Sequence, residues 1–463
     1  MYFIQNRWKL EGKSLIYYGL RNKENLFNNE LKLNKKQREI VRSLPAKLTS
    51  KEVSILDHLI DEQIVLEKDL LKTPKSLEEA RFCKTCVAND YIIPGIEFDS
   101  KGLCPMCQTK EDVKDLKSVV PIKNIIPKQE KSRFDVGLFY TGGKDSTYLL
   151  YYLAKQLDLK VLAMTWEIPF MSKSAKQSIA NAKKKLDNVE FVSKKINDKD
   201  LRKIYQKLYS LSENTCACPS LAYILFYPEL VENNVPYFVA GNEPVQILGL
   251  YYNNMAPKIT YRFAENKLLN FLINLTRVIT LHPPYKPGQF QTLLTMKQLA
   301  YGDSALKKIS GYKNPLLENI NTAIGEVPSI TKPLKKSIRR SSWTGNIPAF
   351  IHIDLNEISG GTYNWMEVKD IIEKECGWVG PEDTGKGLHT SCKIEKCKEY
   401  SQFQRFYYMR SRMIPFSALE ISLASNNKNI TRDEAIYEIK ETLGFSLEKI
   451  SECRIMEEYL KGD

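Results

Sequence analysis

The sequence predicts an α/β protein: a doubly wound parallel sheet, preceded by a winged-helix-like module and a small cysteine-rich module. Three observations carry that expectation. From Phe134 onward, short apolar runs alternate with helical patterns, as strands and crossover helices do. A two-glycine turn, Gly142-Gly143, stands between the first of those strands and its helix. The chain has 463 residues, enough at roughly 150 per domain for about three units.

Residues 1–75 read as the N-terminal module. Gly12 lies between two apolar-rich runs in Trp8–Tyr18, a hairpin pattern. Helices are expected at Lys35–Leu44 and Ser50–Glu62, the second opened by Thr49 and Glu52 at capping-box spacing. A short strand, Ile64–Leu66, follows. Strands, two helices and a strand resemble a winged helix of the kind that precedes some peptide-modifying enzymes; a plain packing or dimerisation module reads equally well. Residues 80–115 hold four paired cysteines.

The sheet is expected within 130–250. Its strands are Asp135–Tyr140, Lys160–Thr165, Val189–Val192 and Pro236–Ala240, with helices at Ser146–Leu157, Ser174–Leu186 and Pro219–Asn233. Residues 251–345, with Pro283-Pro284 and the basic run around Arg339-Arg340, read as a helical insertion or lid. Residues 346–463 open with a strand at Ile347–Leu355 and are otherwise mainly helical. Thr431 and Glu434 form a second capping box near the end.

Composition narrows the function. Lys plus Arg number 68 against 55 Asp plus Glu, a net charge of +13 that favours anionic partners. The same excess also suits a merely solvated lysine-rich surface. No apolar stretch reaches the roughly 18 residues that a membrane span needs, so no membrane partner is expected. The first ten residues lack the apolar run of an export signal, so a cytoplasmic protein is expected. Ten cysteines in such a chain point to metal or redox work in a reducing compartment.

Cys83-Lys-Thr-Cys86 and Cys104-Pro-Met-Cys107 have the spacing of a four-thiolate zinc site. Four protein ligands leave no open coordination position, so the expected zinc is structural. The turn Tyr140-Thr141-Gly142-Gly143-Lys144-Asp145-Ser146 is the strongest functional signal. Its glycines let backbone approach an anion, and the following helix offers oriented amides and a positive dipole end. Thr141 and Ser146 add hydroxyls and Lys144 a positive charge. Asp145 suits Mg²⁺ bridging phosphates rather than a phosphate itself.

Thr-Gly-Gly-Lys-Asp-Ser resembles the SGGxDS loop of the PP-loop ATP pyrophosphatases, the adenine nucleotide alpha-hydrolase superfamily, with its HUP-like core. The resemblance implies an enzyme that splits ATP into AMP and pyrophosphate and uses the AMP to activate a carbonyl or amide oxygen. It implies pyrophosphate at Gly142, Gly143 and Ser146, Mg²⁺ at Asp145, and charge neutralisation by Lys144. It further implies adenine near Met164-Thr165-Trp166, and substrate near Ala240-Gly241-Asn242-Glu243. A closer resemblance, over about residues 80–445, is to the N-acetyl sugar amidotransferases. It rests on the cysteine pairs, Pro94–Asp99, the loop, Tyr227-Pro228 and Thr431–Ala435. That family implies ammonia from a glutaminase partner.

Further cysteines depart from the amidotransferase pattern. Cys216 and Cys218 precede an expected helix, whose dipole would favour a thiolate. Cys392, with His389 beside it, and Cys397 form a second cluster. Their placement is similar to that in PP-loop sulfurtransferases that thiolate tRNA, which implies an Fe–S cluster or persulfide on Cys216, Cys218, Cys392 and Cys397. Buried free thiols are the plainer reading, and the one expected for Cys376 and Cys453. The expected chemistry is therefore ATP-dependent replacement of oxygen by sulfur. Lys144, Asp145, Cys216, Cys218 and Cys392 would be catalytic, and a sulfur donor is required. The substrate would be an acidic carrier protein, a peptide or tRNA, on a chain that could form an oligomer. The alternatives are amidotransfer and a nucleic-acid-binding protein with an inactive loop.

Overall fold

The computed structural model describes residues 1–68, 72–114, 126–128, 132–211, 218–254, 267–286, 288–302, 315–361, 363–381 and 392–462. The chain divides into two compact units. One contains 1–115, 252–254 and 399–450; the other contains 116–251, 255–398 and 451–463.

In the first unit, β1 (Phe3–Ile4) pairs antiparallel with β5 (Val65–Leu66). Strands β2 (Trp8–Glu11), β3 (Ser14–Tyr17) and β4 (Glu30–Lys32) form an antiparallel meander whose first hairpin turns at Gly12. The helix Lys35–Ser43 starts at a capping box of Asn34 and Gln37, and Ser50–Ile55 at the expected box of Thr49 and Glu52. The sequence predicts one helix over Ser50–Glu62. The chain instead bends at Leu56 and resumes as Asp57–Asp61, and this lets Leu56 and Leu59 both reach the core formed by Leu15, Tyr17, Val41, Ile64 and Val65. Burial of that apolar face outweighs the lost continuity of the helix.

The second unit holds the parallel sheet. Its strands are β6 (Val136–Phe139), β7 (Val161–Trp166), β8 (Val189–Lys194), β9 (Tyr237–Asn242) and β10 (Ala349–Asp354), in the order β10-β9-β6-β7-β8. Every pairing in it is parallel. All six residues of β7 are buried, as an interior strand covered on both faces requires. Four strands match their sequence-predicted positions within two residues at each end, and β10 does so within the predicted Ile347–Leu355.

Helices cover both faces. The helix Cys218–Glu232 lies on one, with Phe226 against Phe139 and Leu230 over Gly137, where a Cβ would stand 2.6 Å from Leu230 Cδ2. The helix Lys144–Tyr151 lies on the other, where Leu149 packs over Gly241. Strand order runs outward from β6 through β7 to β8, then returns to β9 and β10 on its other side. The order therefore reverses between β6 and β9, where sheets of this class bind ligands at the carboxyl ends of their strands. The region 251–345 contributes helices at Lys267–Ile279, Gln289–Tyr301, Pro315–Gly325 and Pro328–Thr344. Among the described residues no helix is long and apolar enough to cross a membrane.

Candidate functional site

The turn 141–146 leaves the carboxyl end of β6 at that reversal point. Gly142 has φ +74, and a Cβ on it would stand 2.5 Å from the carbonyl oxygen of Ala175. Only glycine fits, because both the backbone angle and the space exclude a side chain. Gly143 is the N-cap of the helix Lys144–Tyr151, and no side chain caps that end. Thr141 Oγ1 lies 3.1 Å from Ser146 Oγ and accepts from the Gly143 amide at 3.2 Å. Trp378 Nε1 donates to the Gly142 carbonyl at 3.2 Å and pins the turn from the far side. Uncapped first-turn amides beside two hydroxyls suit an anion with several oxygens.

Lys144 does not point into solvent. Its Nζ donates to Asp145 Oδ1 at 2.6 Å and to Tyr363 Oη at 2.8 Å, and lies 3.6 Å from Glu243 Oε2. The rings of Tyr363 and Trp365 stand 4.9 and 5.4 Å from it. Tyr363 Oη donates to Asp145 Oδ1 at 2.8 Å, Gln246 Nε2 donates to Asp145 Oδ2 at 3.2 Å, and Trp365 Nε1 donates to Glu243 Oε2 at 2.5 Å. Burial alone would lower the Lys144 pKa, but Asp145 and Glu243 together reverse that and hold it raised. Burial pushes Glu243 up to about 7, with Lys144 pulling the other way and Asp145 adding to the rise. The result is a buried cation held between two carboxylates, one of which titrates near neutrality.

Of the residues expected at a nucleotide, Thr141, Gly142, Gly143, Asp145 and Ser146 come together at the turn. Tyr140, Met164 and Thr165 are buried and support it: Thr165 Oγ1 donates to the Tyr140 carbonyl at 2.9 Å. Trp166 is also buried, and its Nε1 has no hydrogen-bond partner among the described residues. Gly241 sits at the end of β9, one residue before the Asn242-Glu243 pair. Glu243 was marked in the sequence only as bordering substrate. Tyr363, Trp365, Gln246 and Trp378 carried no sequence signal; packing of the helix Trp365–Cys376 brings three of them in or near.

No family model matches the chain, and no curated protein matches it.

The four paired cysteines do converge. Their sulfurs all lie within 4.8 Å of one another, with Cys83–Cys107 at 3.8 Å and Cys86–Cys104 at 3.6 Å. Tetrahedral zinc with bonds of about 2.3 Å needs sulfurs about 3.8 Å apart, so the set fits a structural zinc ion. The amides of Thr85, Ala88 and Cys104 donate to these sulfurs at 3.4–3.5 Å, as thiolate ligands require. The Thr431–Ala435 segment serves this knuckle: Arg432 donates to the Cys86 carbonyl and stands over the Phe82 ring. Binding at such sites supplies about 10–16 kcal/mol, more than the usual stability of a domain. One zinc per chain is expected by mass spectrometry. Cys86→Ser or chelation is expected to remove it and unfold the segment, read by circular dichroism; metal-free protein that melts like the loaded protein would refute the assignment.

The remaining cysteines separate. Cys216 and His389 lie outside the described residues, as does the side chain of Cys218. The helix Cys218–Glu232 runs antiparallel to β6, since Phe226 meets Phe139 and Leu230 meets Gly137. Its first residue, two turns before Phe226, therefore stands beyond the strands' carboxyl ends. Cys392 is half-buried and bridges to Met171, five residues past the carboxyl end of β7. Cys397 is buried in the helix Glu395–Tyr407. Neither joins a cluster of three or more metal-ligating groups among the described residues. Cys376 and Cys453 are core thiols, and burial pushes the Cys376 thiol up to about 12.

Proposed function

We propose that the chain is an ATP-dependent enzyme of the PP-loop type that adenylates an amide or carbonyl oxygen and replaces it with sulfur. The observation that carries the reading is the turn 141–146. There an uncapped helix N-terminus, a glycine with no room for a side chain, and two hydroxyls meet at the reversal of strand order. The finer names belong to the same reading: a HUP-like core, a winged-helix-like module in 1–75 and a zinc ribbon in 80–115.

In this reading the first-turn amides, Thr141 and Ser146 hold the pyrophosphate portion of ATP. Asp145 would bind Mg²⁺ through Oδ2, whose partner Gln246 is a neutral amide that a cation can displace. Bound there, the ion would neutralise phosphate charge. Lys144 acts by positioning Asp145 through the 2.6 Å bond to its Oδ1. Trp166 Nε1, which has no partner among the described residues, is a donor suited to the nucleotide.

The acceptor oxygen attacks the α-phosphorus, and the bond to pyrophosphate breaks. Sulfur then attacks the activated carbon, and the carbon–oxygen bond breaks to release AMP. A persulfide supplied by a donor would bring the sulfur; a second thiolate would cleave the sulfur–sulfur bond, leaving a disulfide for an external thiol to reduce. Cys218 and Cys392 suit that work because both stand at the end of the sheet that carries the turn.

The test supplies labelled ATP, Mg²⁺ and peptide, tRNA or N-acetyl sugar acceptors, with a persulfide donor or ammonia. Acceptor-dependent AMP and pyrophosphate with a sulfur-containing product are expected. Cys218→Ala/Cys392→Ala should lose the persulfide-dependent product while AMP formation persists. A nitrogen product from ammonia, undiminished in that variant, would overturn sulfur in favour of amidotransfer. No pyrophosphate release with any acceptor, alongside salt-sensitive RNA or DNA binding, would favour the nucleic-acid-binding alternative.

A further inference from the structure

The helix Lys267–Ile279 turns its apolar stripe to solvent. Leu268, Phe271, Leu272, Leu275, Val278 and Ile279 recur at the spacing of one helical face, which ordinarily turns inward. All six are exposed, from 45% at Leu275 to 71% at Ile279, and Leu281 just beyond is 95% exposed. The opposite side holds the turn that follows the helix. Asn274 accepts from the Tyr285 amide at 2.8 Å. Arg277 donates to the Pro283 carbonyl and to Tyr285 Oη, each at 2.7 Å, with its guanidinium 3.8 Å from the centre of the Tyr285 ring. A helix that displays an apolar stripe while its polar groups serve its own following turn is built for something outside the unit.

Its surroundings indicate what. His282 meets Trp343 edge-on, with ring centres 5.3 Å apart, so the helix Pro328–Thr344 shares this side of the unit. That helix exposes Lys332, Lys336, Arg339 and Arg340, and Trp343 is 75% exposed. A groove of about 610 Å³ opens beside it, with Lys297 and Arg339 in its wall. Neither 267–302 nor 328–344 contains a single Asp or Glu. A second copy of the chain docked here about a two-fold axis would bring basic rim against basic rim. An anionic bilayer meets both features, apolar at depth and negative at its surface.

We propose that this face docks on an anionic phospholipid membrane. The helix Lys267–Ile279 lies in the interfacial plane, Trp343 sits at headgroup depth, and Lys297, Lys336, Arg339 and Arg340 meet lipid phosphates. The expectation of no membrane partner came from the lack of a spanning segment, and interfacial docking needs none. The proposal is independent of the nucleotide reading.

Full-length protein is sedimented with phosphatidylcholine vesicles and with vesicles one-third phosphatidylglycerol. Binding to the anionic vesicles is expected to be at least about tenfold stronger and to weaken with salt. Tryptophan emission should shift to the blue, and Trp343→Phe should remove the shift, because Trp8, Trp166, Trp365 and Trp378 are buried. Phe271→Glu/Leu275→Glu, at two exposed positions, should abolish binding without changing the melting temperature. Arg339→Glu/Arg340→Glu should abolish the preference for anionic lipid. No binding to anionic vesicles at low salt would overturn the proposal, as would binding unchanged by the helix pair. Self-association of the wild type that the helix pair removes, without vesicle binding, would assign the face to a second copy and equally overturn it.

Discussion

Lys144→Met is expected to destabilise the second unit by about 3–5 kcal/mol at pH 8, the usual consequence of deleting one partner of a buried ion pair. The ammonium is 4% exposed and stands between Asp145 and Glu243, so its loss leaves the buried Glu243 carboxylate beside the partly exposed Asp145 with no cation between them. The penalty should depend on pH in a definite direction. The Glu243 pKa in the fold lies at about 7, above its ordinary value of 4.5. Its contribution to stability is therefore complete below about pH 4.5 and is lost as pH rises through 7. Removing Lys144 raises that pKa further, so the variant should lose more ground to the wild type at pH 8 than at pH 5. Adding Glu243→Gln to Lys144→Met should recover part of the loss at pH 8, because a neutral amide replaces the carboxylate that has lost its cation. Urea denaturation of the three proteins at the two pH values measures this. A penalty equal at pH 5 and pH 8, with no recovery in the double variant, would mean that the cage is not electrostatically coupled.

What the sequence made legible was local. Thr49 with Glu52 and Thr431 with Glu434 announced their helix starts because a capping box is written within four residues. The cysteine pairs announced a four-sulfur cluster because each CxxC is one turn, and Gly142-Gly143 announced a tight turn into a helix because it follows an apolar strand. What stayed hidden was set by packing across the chain. Tyr363 and Trp365 close over Lys144 more than 200 residues downstream, and an aromatic in a helical pattern reads first as core. The bend at Leu56 is decided by which leucines reach the core, which capping and periodicity do not encode. The helix Lys267–Ile279 has ordinary amphipathic spacing; only the exposure of its six apolar residues in the fold reveals that its apolar face looks outward. Lys144 marks the boundary within the site itself. Its position in the motif announces a cation at the turn, and only the fold shows that cation enclosed by Asp145, Glu243 and Tyr363.

Gly142→Ala is expected to lower AMP formation from ATP at least about 100-fold, equivalent to about 2.7 kcal/mol of transition-state stabilisation. Two costs meet at this residue. A side chain at φ +74 is strained by roughly 1–2 kcal/mol. The new Cβ would also stand 2.5 Å from the Ala175 carbonyl oxygen, which is backbone within the helix Lys173–Lys185 and has little freedom to retreat. The turn must therefore give way, and with it the alignment of the first-turn amides that would receive the pyrophosphate. Gly12 supplies the control. It also has positive φ, at +58, but nothing lies within 4 Å of a Cβ there. Gly12→Ala should thus carry only the backbone strain, lowering the melting temperature slightly while leaving AMP formation intact. The comparison separates strain from displacement of the turn, because both variants share the first cost and only one incurs the second. Equal activity in the two variants would show that the geometry at residue 142 does not govern nucleotide chemistry. Loss confined to Gly142→Ala, with its melting temperature no lower than that of Gly12→Ala by more than the added clash explains, would tie the reaction to the turn 141–146.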